Sequence, residues 1–241
     1  MIKKQIGTIV TIGIISLLLS GCLYPKENLA QSKVSVREDV TTVQTVIERF
    51  QKEAGLLPIK NSSPETSRYE KYIVDLAKLQ RMNYISVLPS AAFEQGGRYF
   101  FLILNEETAP IVKVQDVVLS QAIIQVQNWV DEYRRMNKDG DLLAGEQAYP
   151  GFYHLDYNKL GQKEPTLRSP FSGLTLATLI DDTGIVYIDY GIDVMKAVEK
   201  LGDKQPSSDQ DLRELLVEFS DYVPVKSPVY HWVDGEPRAV H

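Results

Sequence analysis

The chain has 241 residues, 44% of them hydrophobic, with 32 Asp+Glu against 26 Lys+Arg and a net charge of −6. That acidic balance excludes a nucleic-acid binder built on a basic face, and it disfavours lying flat on anionic lipid. The apolar content is ordinary for a globular core, and the length suits one domain or two small ones. One cysteine excludes a disulfide within the chain, so the core must hold the fold.

The first 21 residues have the layout of a secretory signal peptide. Lys3 and Lys4 give a positive start, Ile6 to Leu19 is an uncharged apolar run, and Ser20 and Gly21 are small. The apolar run is short for a permanent membrane span. Leu19-Ser20-Gly21-Cys22 resembles the lipobox of bacterial lipoproteins. The resemblance implies cleavage before Cys22, a diacylglycerol thioether and palmitate-type acylation there, and a lipid-anchored location at the outer face of the cell membrane. Several acyl chains hold a protein to a bilayer far better than one. Without residues 1–21 two lysines are lost and the net charge falls to about −8. Residues 22–36, polar and without a sustained period, read as the acylated tether.

Beyond the tether, apolar spacing predicts a helix over Glu38 to Glu53, with Val40, Val43, Val46, Ile47 and Phe50 on one face. Gly55 and Pro58 stop it. Asn61 to Pro64 reads as a loop, Glu70 to Leu79 as a second helix, and Tyr84 to Leu88 as a short strand. Gly96-Gly97 is a turn before a strand over Arg98 to Asn105, with Ile111 to Val114 as its hairpin partner. Val117 to Met136 is predicted as a long helix, followed by a polar loop and the punctuation Tyr149-Pro150-Gly151. Leu174 to Ile180 and Ile185 to Tyr190 read as strands around a solvated Asp181-Asp182 turn. Val194 to Leu201 and Leu212 to Phe219 read as helices, and Tyr230 to Val233 as a last strand before a frayed end.

The fold class is therefore α+β, in two similar units, residues 37–116 and 117–241. Each is a helix followed by an antiparallel hairpin or small sheet. Val46 to Phe50 resembles Trp129 to Tyr133, Asp75 to Leu79 resembles Asp156 to Leu160, and Gly97 matches Gly184. The offsets are 83, 81 and 87 residues. Duplication and the chance likeness of two αβ segments both account for them. Each unit is similar to the soluble part of a pseudopilin, although a lipobox stands where that family has its prepilin leader. The whole chain resembles the YphF-type lipoproteins of bacilli through Ser20 to Pro25, Phe50-Gln51-Lys52 and Leu57 to Lys60. That resemblance implies a location and no activity.

The search for reactive constellations gives little. The histidines are His154, His231 and His241, the only cysteine is the acylation site, and there is no Gly-x-Ser-x-Gly elbow. No His-Glu-x-x-His or cysteine pair suggests zinc. Arg135 to Glu146 matches part of the EF-hand loop, with Asn137, Asp139, Asp141 and Glu146 at ligand positions and Gly140 at the sharp turn. Arg135 stands where the first aspartate ligand belongs, so the reading taken is a helix C-terminus followed by a solvated acidic turn. No metal or other cofactor is expected. Aromatic residues cluster in the strands, and alternation turns about half of them outward. Tyr99, Phe101, Tyr187 and Trp232 are the candidates for a docking surface.

The expected function is a non-catalytic, membrane-anchored interaction or assembly module. Its expected partners are the membrane, through the lipid, and an unidentified protein, but not nucleic acid. The alternatives are a small-ligand-binding lipoprotein for transport or sensing, and a cell-envelope enzyme.

Overall fold

The structure is a computed structural model that describes residues 26–137 and 143–241. Residues 1–21, expected as a signal segment, and Cys22, Asp139 and Asp141 lie outside the described residues. The chain divides into two compact units, Met1–Ser35 and Val36–His241. Among the described residues, no helix is long and apolar enough to cross a membrane.

Helix α1 runs over Lys26–Ala54. It starts earlier than the predicted Glu38, so residues 26–36, read as an irregular tether, are helical. That stretch contains no Pro or Gly and is rich in Lys, Glu, Gln, Leu and Ala, which favour a helix. Val36, Val40, Val43, Ile47 and Phe50 are buried along one stripe. Gly55 then takes a left-handed φ of 72°, and its N–H bonds the Gln51 carbonyl.

The segment predicted as a helix from Glu70 divides instead. Tyr72 to Val74 lies against the next strand, with Ile103 N–H on the Tyr72 carbonyl and Val74 N–H on that of Phe101. Aromatic and β-branched side chains suit that extended pairing. The helix proper, α2, is Leu76–Arg81, capped by the Asp75 carboxylate on the Lys78 N–H at 2.8 Å. Residues 84–88, expected as a strand, are irregular.

Strand β1 (Tyr99–Leu104) pairs antiparallel with β2 (Ile111–Asp116), from Tyr99 opposite Asp116 to Leu104 opposite Ile111. Bridges from Ile59 to Val74, from Ile73 to Leu102 and from Val114 to Tyr222 widen the hairpin on both sides. Tyr99, Phe101 and Ile103 join the apolar cluster under α1, whereas Leu102 and Leu104 join a larger cluster on the opposite face. The hairpin is covered on both faces, which is why Phe100 to Leu104 is an unbroken apolar run.

Helix α3 (Val117–Met136) follows directly, and Asp116 caps it by accepting from the Val118 and Leu119 N–H groups. The boundary expected between residues 116 and 117 thus falls where β2 ends and α3 begins, inside the unit Val36–His241. Next come β3 (Ala144–Tyr149), β4 (Phe152–Leu155), α4 (Tyr157–Leu160), β5 (Leu167–Arg168), β6 (Thr175–Leu176), β7 (Thr178–Asp181) and β8 (Val186–Ile188). A four-stranded antiparallel sheet has the order β3-β4-β7-β8. Helices α5 (Gly191–Glu199) and α6 (Arg213–Glu218) pack beside it. The predicted frayed end is a hairpin, β9 (Val229–Val233) with β10 (Glu236–Val240). The mixture of helices and small antiparallel sheets is the α+β class.

Candidate functional site

The expected docking aromatics separate. Tyr99 and Phe101 are 8% and 1% exposed, so both are core residues and not a docking surface. The reason is the second cover: α1 closes the face that alternation alone would leave open. Tyr187 and Trp232 are half-buried. Tyr187 meets Phe152 edge-on at 5.7 Å and donates its hydroxyl to Asp181 at 3.1 Å. Burial, with the Asp181 charge, pushes its phenol up to about 12.

Asp181 itself is 1% exposed, against the expectation of a solvated turn. Its carboxylate accepts from the N–H groups of Thr183 and Ile185 and from the hydroxyls of Thr183 and Tyr187. Burial pushes its pKa up, but those donors outweigh burial and hold it below the ordinary carboxylate value.

Of the calcium candidates, Asn137 closes the α3 C-terminus, with its side-chain amide and N–H both on the Tyr133 carbonyl. Glu146 is exposed in β3, so a strand follows where an EF-hand has its second helix. Among the described residues, no group of three His, Cys, Asp or Glu side chains is placed to hold a metal. His154 is exposed in β4, His231 is half-buried in β9, and His241 stacks on Phe152 at 4.6 Å.

Two arrangements went unseen in the sequence. In the first, the Asp189 carboxylate accepts from Tyr230 at 2.7 Å, Tyr149 at 3.1 Å and the Gly191 N–H at 2.8 Å. Burial first, and then the Asp189 charge, raises both phenols well above their usual value, which keeps them protonated as hydrogen-bond donors to Asp189. A Cβ at Gly191 would run into the Tyr149 hydroxyl, so a side chain there would displace the end of Tyr149. Tyr149, Ile192, Met195 and Pro237 help line a cleft of 490 Å³ beside this network.

The second arrangement is a groove of three adjoining clefts with volumes of 280, 310 and 480 Å³. The first two share Lys71 and Tyr72, and the last two share Arg68, Leu104 and Asn105. Three cations along it each sit on an aromatic ring: Lys60 over Phe100 at 5.4 Å, Lys71 over Tyr72 at 5.3 Å, and Arg68 over Tyr69 at 5.7 Å. Arg213 also lies over the Tyr69 ring at 5.3 Å. Lys60 pairs with Glu94, and Arg68 with Glu214, each at 2.9 Å. Lys71 makes no ion pair with a described residue, although its charge helps lower the Glu65 pKa. The Glu106 carboxylate beside Tyr72 raises its phenol. Beyond Arg68, the Lys113 ammonium donates to the carbonyls of Val217 and Ser220 near the end of α6. Lys60 and Phe100 meet only in the fold, whereas Arg68–Tyr69 and Lys71–Tyr72 are neighbours in sequence that periodicity does not single out.

The geometry is that of an α+β protein with several open clefts on its surface. Residues 36–116 match the YphF family N-terminal domain, a segment running from the buried face of α1 to the end of β2. No curated protein and no solved structure matches the chain.

Proposed function

We propose that the chain is a lipid-anchored extracytoplasmic protein whose folded body is a non-catalytic interaction or assembly module at the outer face of the membrane. Leu19-Ser20-Gly21-Cys22 supports the anchor, with Cys22 as the acylated residue. The observation that supports the module is the groove through Lys60, Lys71 and Arg68. Its side chains are held ready on rings and open to solvent, an arrangement suited to contact.

Labelling cells with a palmitate analogue tests the anchor: wild type takes the label and Cys22→Ala loses it and leaves the membrane fraction. Equal labelling of both would overturn the lipid reading. Crosslinking in intact membranes tests the module, and recovery only as a free monomer under several growth states would end it.

The 490 Å³ cleft beside Tyr149 favours a second reading, small-ligand binding. A thermal-shift screen of sugars, amino acids and metals tests it. A shift lost in Ile192→Glu would establish it, and no shift would remove it.

A further inference from the structure

We infer that residues 36–116 and 117–190 are two copies of one αββαββ unit, and that Asp221–Lys226 is a strap that fastens them by taking the same edge position on each. The helices give the first argument. Val36, Val40, Val43 and Ile47 are buried along α1, and Leu119, Ile123, Val126 and Val130, each 83 residues later, are buried along α3. Apolar spacing alone recurs in any two amphipathic helices. The polar contacts are more particular. Gln44 donates its amide to the Pro110 carbonyl and to Glu48, and accepts from the Val112 N–H at 2.7 Å. Gln127, again 83 residues later, donates to the Gly184 carbonyl and to Asp131, and accepts from the Val186 N–H at 2.8 Å. Each glutamine thus satisfies the same two backbone groups of the last strand in its own copy.

The strand pairings agree residue by residue. Ile59 opposite Val74 corresponds to Ala144 opposite Leu155, and Ile73 opposite Leu102 to His154 opposite Leu179. Leu102 opposite Lys113 and Ile103 opposite Val112 correspond to Leu179 opposite Tyr187 and Ile180 opposite Val186. The first two strands of the first copy are reduced to these bridges. The residues that cap the short helices match as well: the Asp75 N–H bonds the Pro58 carbonyl, and the Asp156 N–H that of Leu143. Register depends on the side chains of each strand and on its turns, so a shared αβ order does not by itself reproduce it. The copies differ between the short helix and the third strand, where the first has a 3-10 turn at Phe93–Gln95 and the second has the β5–β6 pair. The family match ends at residue 116, so the second copy is a diverged repeat of that N-terminal domain.

The equivalence extends to what covers the outer edges. The Val114 N–H bonds the Asp221 carbonyl, and the Ile188 N–H bonds the Lys226 carbonyl, each at 2.8 Å. Val114 and Ile188 lie two residues beyond Val112 and Val186, so they are equivalent positions. Tyr222 to Val225, between the two contacts, is buried. Its flanks pair with the first copy, Asp221 with Arg37 and Lys226 with Glu70. One segment therefore occupies both edges, which as open strands would be free to pair with another chain.

Residue-resolved amide exchange on the full chain in detergent tests both parts. Gln44→Leu is expected to raise exchange at Val112 and not at Val186, and Gln127→Leu the reverse, each by about fivefold or more. Val223→Pro removes the N–H that bonds the Val114 carbonyl, and is expected to raise exchange at Val114 and Ile188 together. Lys226→Ala is the milder change at the other end, to be used if Val223→Pro does not fold, and it too is expected to raise both. A rise at only one of the two amides would overturn the strap. A crystal structure of the full chain supplies a measurement that needs no variant. Superposing α1 on α3 at the 83-residue offset should bring β2 onto β8, with Val112 on Val186 and Val114 on Ile188. A different register there, or a Gln127→Leu that leaves Val186 as protected as in wild type, would overturn the two-copy inference.

Discussion

The two halves of the folded body solve the same packing problem with different materials. Residues 36–116 close an apolar hairpin between α1 and the larger core, and apart from Asp116 at the end of β2 the charged side chains lie mainly at the rim and along the groove. Residues 117–241 instead bury Asp181, Thr178 and Ser169 at 1–2% exposure, and surround Asp181 and Asp189 with hydroxyl and amide donors. An apolar core tolerates approximate shape, whereas a buried carboxylate is stable only if every donor is in place. The first half is therefore set by pattern, and the second by particular partners.

Neighbouring residues on β1 give the largest test of that contrast. Phe101 faces the α1 cluster and Leu102 the other cluster, each at 0–1% exposure. Phe101→Ala should cost about 3–5 kcal/mol, and Leu102→Ala about 2–5 kcal/mol. Denaturant melts measure both. Amide exchange should show α1 opening first in Phe101→Ala, and the four-stranded sheet first in Leu102→Ala. Identical exchange patterns would mean that the two clusters open together.

A glycine from each half separates hard from soft collisions. A Cβ at Gly97 would strike the Ala91 backbone, which is fixed by the bond from Tyr99 N–H to the Ala91 carbonyl. Gly97→Ala should cost about 1–3 kcal/mol as overpacking. At Gly191 the obstacle is the far end of the Tyr149 side chain, which can swing away. Gly191→Ala should then cost about 1 kcal/mol, near that of one lost hydrogen bond, and Tyr149→Phe should remove most of its effect. If the penalty persists in the double variant, the Tyr149 contact is not its cause.

These particulars also show how much was legible beforehand. The helices on Val40 to Phe50 and on Ile123 to Val130, and the hairpin of β1 and β2, follow from period and turn chemistry, and all three are present. Two similar pentapeptides, Asp75 to Leu79 and Asp156 to Leu160, both open short helices capped by their aspartate and both bury the final leucine. β3 and β10 were missed because Ala144 to Tyr149 and Glu236 to Val240 are polar edge strands, which need a partner strand to define them, and the interior strand β4, four residues long, is too short to show a period. The groove and the Asp189 network were illegible for a related reason. Their decisive contacts join residues tens of positions apart, and nothing in a single sequence brings Arg68 to Glu214 or Tyr149 to Asp189. The matched caps give a smaller test: Asp75→Ala and Asp156→Ala should each cost about 1 kcal/mol, and Asn at either position much less.

The mildest test is titration, where two buried carboxylates should pull in opposite directions. At Asp116, burial outweighs the Arg98 charge and the two N–H donors of α3, so its pKa lies above the ordinary value. Its folded-state preference is for the proton, so the stability it contributes is present at low pH and is lost as pH rises through its folded pKa. At Asp181 the donors win and the pKa lies below the ordinary value. Its contribution is present above the unfolded aspartate value of about 4, and is lost as pH falls through the folded one. Denaturation midpoints measured from neutral pH down into the acid range should therefore respond oppositely to amide replacement. Asp181→Asn should lose stability at neutral pH and flatten the acid decline, because the amide accepts fewer of the four donors. Asp116→Asn keeps an N-cap residue and removes the burial penalty of the charge, so its deficit relative to wild type should be smaller at neutral pH than in acid. If both variants shift the profile in the same direction, the division between a pattern-set half and a partner-set half fails at the residue where the halves join.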